Sequence, residues 1–218
     1  QTERHGVYIV GYTDGTFGPS RSMTRSEAAA IFSRLLAEKN GDTISTAANT
    51  KFADIPAHAW YSGYVKYLSN NGITYGKSKT IFAPNDAITR AEFTTMAVRF
   101  FDVYGDGDAE IMEQFSGFND VSSGYWAAEY IKYAALHGWI NGYGDGSFHA
   151  DREINRAEVV TIVNRLLGRE ADEDYIADNL RKLNTFPDVT KRHWAYYAVM
   201  EAANAHTAVL GESESWSK

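Results

Sequence analysis

A chain of 218 residues with 44% hydrophobic and 14% aromatic content is long enough for one or two packed domains and too apolar for disorder. Its net charge of −7, with no Lys/Arg run or basic helical stripe, argues against a nucleic-acid partner, and no apolar run approaches the ~18 residues of a membrane span. The absence of cysteine excludes disulfides, thiolate metal sites and cysteine nucleophiles and fits an exported protein, although the opening QTERHGVYIV lacks the order of a signal peptide.

Along the chain, GYTDGTF (11–17) comes first. Asp-Gly between aromatics signals a tight turn, because Gly tolerates positive φ and Asp bonds its own backbone nearby. Next, MTRSE (23–27) matches a capping box: Thr24 is placed to cap the N3 amide and Glu27 to return to the N-cap amide. Ala28, Ile31, Phe32 and Leu35 follow at helical spacing. After an irregular stretch (about 37–51), FADIPAHAW (52–60) leads into a helix whose spacing is read from Trp60 through Tyr64, Tyr67 and Leu68, with Gly72 past its end. Asp54 is expected to cap that helix or its entry turn.

The pattern then recurs. GKSKTIF (76–82) keeps only the first Gly and the Phe of the turn, so its loop must be built differently. ITRAE (88–92) opens a helix through Phe93, Met96, Ala97 and Phe100. FNDVSSGYW (118–126), GYGDGSF (142–148) and INRAE (154–158) repeat the series, with Gly138 past the first helix and Val159, Ile162, Val163 and Leu166 on the second. LGREADEDYIADNLRKL (167–183) predicts a connecting helix, and FPDVTKRHW (186–194) begins the motif once more. Phe52 to Phe118 spans 66 positions and Phe118 to Phe186 spans 68. The order is therefore half repeat, whole, whole, half, and such units cannot bury their apolar faces alone.

The fixed order of these motifs resembles the S-layer homology family. The expected fold is a single all-α module over 1–218, with three helix-loop-helix repeats in a pseudo-threefold assembly. Its parts are 5–37 (second half of repeat one), 52–101, 118–168, and 186–210, a first half completing repeat one. On this reading the helix near Trp194 packs against the helix near Thr24. The resemblance implies a non-catalytic anchor at the bacterial cell wall, extracellular and compatible with a place in a larger surface protein. It would bind secondary cell-wall polysaccharide or a peptidoglycan-linked polymer in grooves between repeats, often through a pyruvylated sugar. A helical protein–protein scaffold for surface-layer self-assembly is the alternative.

The residues support an anionic ligand. Arg25, Arg90 and Arg156 each follow an N-cap, where helix amides and a planar guanidinium together suit a carboxylate. The loop in the same repeat as Arg90 is the divergent one, so the Arg90 groove is expected to be silent. Trp60, Trp126 and Trp194 are read as core anchors of the first helices with one edge lining a groove; stacking on a sugar face is the other reading. Gly11, Gly76 and Gly142, with Tyr12 and Tyr143, complete the candidate ligand-binding set. Glu27, Glu92 and Glu158 are accounted for by capping, so no catalytic residue is expected. No cofactor or metal is expected either: the histidines show no His-x-x-x-His spacing, and GDGDAE (105–110) lacks the glutamate-terminated calcium pattern.

Overall fold

The computed structural model describes residues 1–105, 115–211 and 213–217. Most of GDGDAE therefore lies outside the described residues. The chain divides into two compact units, one made of Gln1–Arg21 with Asn155–Lys218 and the other of Ser22–Ile154.

The second unit holds α1 (Arg25–Asn40), α2 (Ser62–Asn70), α3 (Arg90–Tyr104) and α4 (Ala128–Leu136). Both α1 and α3 open with complete capping boxes, Thr24 with Glu27 and Thr89 with Glu92. Helix α1 packs on α2 and α3, and α3 on α4. Phe32 lies 4.9 Å from Phe100 and 5.3 Å from Phe93, ring centre to ring centre, in a core completed by Leu35, Leu36, Val65, Leu68 and Ile131. Beneath the helix starts, three buried residues form a closed ring of backbone hydrogen bonds. Met23 N–H donates to Ile154 (2.9 Å), Ile154 to Ile88 (3.1 Å), and Ile88 back to Met23 (2.9 Å).

The first unit holds β1 (Thr2–His5), α5 (Arg156–Leu167), α6 (Glu173–Asn179), α7 (Tyr196–Ala203), β2 (His206–Val209) and β3 (Ser215–Ser217). Helix α5 has the third capping box, Asn155 with Glu158, and packs against α7, the helix after Trp194, in the place expected from the sequence for the helix after Thr24; α6 is the connecting helix expected from the sequence. The all-α expectation fails here. The strands form an antiparallel sheet in the order β1-β2-β3, with His5 paired to His206 and Ala208 to Trp216. Strands of three or four residues are too short to produce an alternation signal. The segment to 210, read as half a helical repeat, leaves its helix at Ala203.

The F-x-D motifs do not cap helices. Among the described residues, α2, α4 and α7 start without a side-chain cap. Instead each aspartate bridges two amides of a distant loop. Asp54 accepts from Phe82 (2.9 Å) and Ala83 (2.7 Å), and Asp120 from Phe148 and His149 (2.7 Å each). Asp188 accepts from Phe17 (2.9 Å) and Gly18 (2.7 Å), which ties the C-terminal motif to the N-terminal loop. The adjoining phenylalanines follow: Phe52 lies 5.5 Å from Phe82, Phe118 5.1 Å from Phe148, and Phe186 5.3 Å from Phe17.

Burial pushes the Asp120 carboxyl up, but the two amides outweigh it and hold its pKa below the ordinary carboxylate value. A depressed folded pKa means this stability is present above the unfolded value, near ~3.9, and is lost as pH falls through the lower folded value. Asp120→Asn should cost about 1–3 kcal/mol in urea unfolding at pH 7. It should also flatten the fall of melting temperature below about pH 4. Unchanged stability and an unchanged acid limb would show that the two amides gain nothing from the charge.

Candidate ligand-binding groove

The helix starts that suggested an anion site are already filled. Arg25 N–H donates to Asp86 (3.0 Å) and Ser26 N–H to Pro84 (3.0 Å). Arg90 and Ala91 donate to Arg152 (2.8 Å) and Ala150 (2.9 Å), and Arg156 and Ala157 to Arg21 and Pro19 (3.0 Å each). The N3 amides go to the N-cap side chains. Any ligand here is met by side chains and not by helix amides.

The three arginines are buried, at 4% exposure for Arg25, 5% for Arg90 and 4% for Arg156. Each sends Nε to the carbonyl of a loop phenylalanine: Arg25 to Phe82 (2.7 Å), Arg90 to Phe148 (2.8 Å) and Arg156 to Phe17 (2.8 Å). Arg90 reaches Asn141 O as well, and Arg156 reaches Val10 O. The divergent loop 76–82 thus faces Arg25 and not Arg90, because each arginine braces a loop from a different repeat than its own. Tyr143 lies under Arg90, with the guanidinium carbon 5.2 Å from the ring centre, and Tyr12 under Arg156 at 4.6 Å. At the corresponding place beside Arg25 stands Lys77.

Around Arg25 the second unit opens into a cavity of about 410 Å³, within the range of small-ligand sites. Loop residues Ile73–Lys77 form one wall, Glu92, Thr95, Met96 and Arg99 of α3 another, and Trp126 the rim. Glu92 serves twice: one oxygen completes the capping box at Thr89 N (3.1 Å), and the other lies 3.3 Å from Arg25 Nη1 and 3.9 Å from Lys77 Nζ. Arg99 is sandwiched, its guanidinium carbon 4.8 Å from the Tyr75 ring centre and 5.0 Å from that of Tyr130, and it donates to the Tyr130 hydroxyl (3.1 Å). Burial pulls the Arg25 pKa below its ordinary value and Glu92 pulls it back; the group stays cationic at any physiological pH. Arg25, Lys77 and Arg99 against Glu92 leave a net charge of +2 on the walls.

The tryptophans are not core anchors. Trp60 is 55% exposed, Trp126 58% and Trp194 66%. Each stands two residues before its helix begins, at Ser62, Ala128 and Tyr196, so it is off the helical face that the spacing assumed. The next residue, Tyr61, Ala127 or Ala195, is the buried one. Of the sequence candidates, only Arg25, Gly76 and Trp126 line this cavity.

The glycines lie where a Cβ has no room. One at Gly11 would stand 2.5 Å from the Phe186 ring, and one at Gly142 2.5 Å from Phe118; Gly76 is pressed equally on Phe52. They let the loop close over the motif phenylalanine. Sequence reasoning passed over Arg99, Lys77 and Tyr75. A signal for Arg99 was present: Arg34, Arg99 and Arg165 each follow the first arginine of their helix by nine residues.

The profile of the S-layer homology domain matches residues 3–29, 51–94 and 117–160. Cell surface glycoprotein 1 of Acetivibrio thermocellus is 33% identical over 96% of this chain and 9% of its own length. The cellulosome-anchoring protein of the same organism is 30% identical over 97% of this chain and 45% of its own. The surface-layer 125 kDa protein of Lysinibacillus sphaericus is 32% identical over 73% of this chain and 13% of its own. The chain thus spans less than half the length of these relatives. With a profile repeated three times over most of its helical motifs, the chain belongs to the S-layer homology domain family.

Proposed function

We propose that this chain is a non-catalytic module that anchors a protein to the bacterial cell wall by binding secondary cell-wall polysaccharide through an anionic, pyruvylated sugar. The observation that carries the reading is the cavity around Arg25, where three cations face one carboxylate beneath an exposed tryptophan. A ketal carboxylate is planar and singly charged, which suits a guanidinium held in place by its own hydrogen bonds. An exposed indole beside it offers an apolar face to a sugar ring. The family acts at the cell surface, and surface proteins are the relatives that this chain resembles. The one carboxylate lining the cavity, Glu92, is engaged at Thr89 and beside Arg25, which fits binding better than acid–base chemistry.

Arg25 braces a loop, so Arg25→Ala should lose stability as well as affinity. Arg99 and Lys77 separate the two effects. Arg99→Ala and Lys77→Ala should each weaken binding of pyruvylated wall polymer about tenfold, with the double variant weaker still and more so at low salt. Calorimetry of the folded variants checks this. Wild-type affinity in the double variant, or equal affinity of the wild type for polymer stripped of pyruvate, would sink the carboxylate reading.

The tryptophan gives an independent measure. Trp126→Ala should reduce co-sedimentation with polymer-bearing wall sacculi by about tenfold while leaving the melting temperature within a few degrees, since the indole is mostly in solvent. Retention on sacculi from which the secondary polymer has been removed would instead favour a scaffold that binds protein or bare peptidoglycan.

A further inference from the structure

Four metal-capable side chains that lie far apart in the sequence meet in the first unit. They are His5 of β1, Glu201 of α7, His206 of β2, and Glu214 just before β3. Their ligand atoms all lie within 4.8 Å of one another. His5 is 3% exposed, Glu201 1% and His206 7%, and the Glu214 side chain is 4% exposed. The geometry points to a binding site for a divalent transition-metal ion of the zinc class, held by these four residues and clipping the N-terminal strand to the C-terminal segment.

Three observations support it. First, the spacing fits. His5 Nδ1 is 3.3 Å from Glu201 Oε1 and from Glu214 Oε1, and His206 Nε2 is 3.3 Å from Glu201 Oε2 and from Glu214 Oε1. Ligands ~2.0–2.1 Å from a tetrahedral ion stand about 3.4 Å apart.

Second, three of the polar atoms lack a hydrogen bond. Both Glu201 oxygens and His5 Nδ1 are buried without a hydrogen bond, since the close approaches to histidine miss its geometry. A buried carboxylate in that state is costly unless a cation faces it.

Third, the surroundings orient the ligands. His206 Nδ1 lies 3.0 Å from Asn204 O, and a carbonyl can only accept. Nδ1 therefore carries the proton, and in neutral imidazole Nε2 turns its lone pair toward two carboxylates, as in a metal site with a carbonyl behind its histidine. Trp216 Nε1 donates to Glu214 Oε1 (3.1 Å), and the Trp216 ring covers His206 with centres 3.8 Å apart. The donor set of two nitrogens and two oxygens suits Zn²⁺ or Co²⁺ better than Ca²⁺ or Mg²⁺, which prefer oxygen alone.

The test uses the full chain, stripped with chelator and titrated with ZnCl₂. Calorimetry should give one ion per chain, and melting temperature should rise by about 5–10 °C at a hundredfold excess over the dissociation constant. Co²⁺ should give the intense visible bands of a tetrahedral site. His5→Gln and Glu214→Gln should each weaken binding by more than about 100-fold. Because the Zn²⁺ and Co²⁺ measurements use the unaltered chain, a variant that fails to fold does not blunt them. No stoichiometric binding and no thermal shift would overturn the proposal and leave a protonated-histidine ion-pair cluster. Binding that survives both substitutions belongs to other histidines and would overturn it equally.

Discussion

The second unit depends on the ring of hydrogen bonds among Met23, Ile88 and Ile154. These residues are fully buried, and each directly precedes the N-cap of a long helix, Thr24, Thr89 or Asn155. A buried N–H or C=O must find a partner, and here each residue uses both groups on the other two. Chain segments about 65 residues apart are thereby held at hydrogen-bond distance with no side-chain polar atom involved. The bridges Thr24↔Ala87 and Thr89↔Glu153 continue the same pairing one step outward. Altering the side chains at 23, 88 or 154 would reach the ring only through packing, which suits large apolar residues there.

Two polar devices recur in both units. The F-x-D aspartates pin each loop by two consecutive amides, and the arginine at the head of a long helix grips the carbonyl between them, at Phe82, Phe148 or Phe17. One phenylalanine per loop thus has its N–H held by an aspartate, its C=O by an arginine, and its ring in the core. In 11–17 and 142–148 the loop tip is closed by Asp14 or Asp145, whose carboxyls the Thr16 and Ser147 hydroxyls hold below their ordinary pKa. In 76–82 the Ser78 hydroxyl takes that place, accepting from Ile81 N at 3.1 Å. The loop lacking Asp-Gly is therefore a differently closed loop of the same kind.

Much of the long-helix architecture was legible because capping boxes and i, i+3, i+4 spacing are local; the boxes at Thr24, Thr89 and Asn155 and the connecting helix lie where the sequence put them. What depends on long-range partners was not. Asp54 looks like a cap from its neighbours, yet its amides lie 28 and 29 residues away. Trp60 fitted a helical spacing that begins two residues too early. The short strands carry no periodic signal, and His5 meets His206 only because the ends of the chain pair. Arg99 was within reach, since its nine-residue offset recurs in all three long helices, but its aromatic partners Tyr75 and Tyr130 lie 24 and 31 residues away.

The helix starts show why a binding reading survives the loss of its first rationale. Amides at a helix N-terminus can serve an anion or the protein's own carbonyls, and here they serve the carbonyls. That choice fixes the arginine instead: with Nε committed to Phe82 O and the stem buried, the Arg25 guanidinium loses little freedom when a ligand arrives. Lys77 and Arg99 reach the same cavity from a loop and from mid-helix, so its positive charge comes from three separately supported elements. Glu92 keeps Arg25 and Lys77 from facing one another unscreened. On the proposed reading, a carboxylate entering there would compete with Glu92 for Arg25, and selectivity would rest on how well its second oxygen is met by Lys77 or Arg99 and not on charge alone.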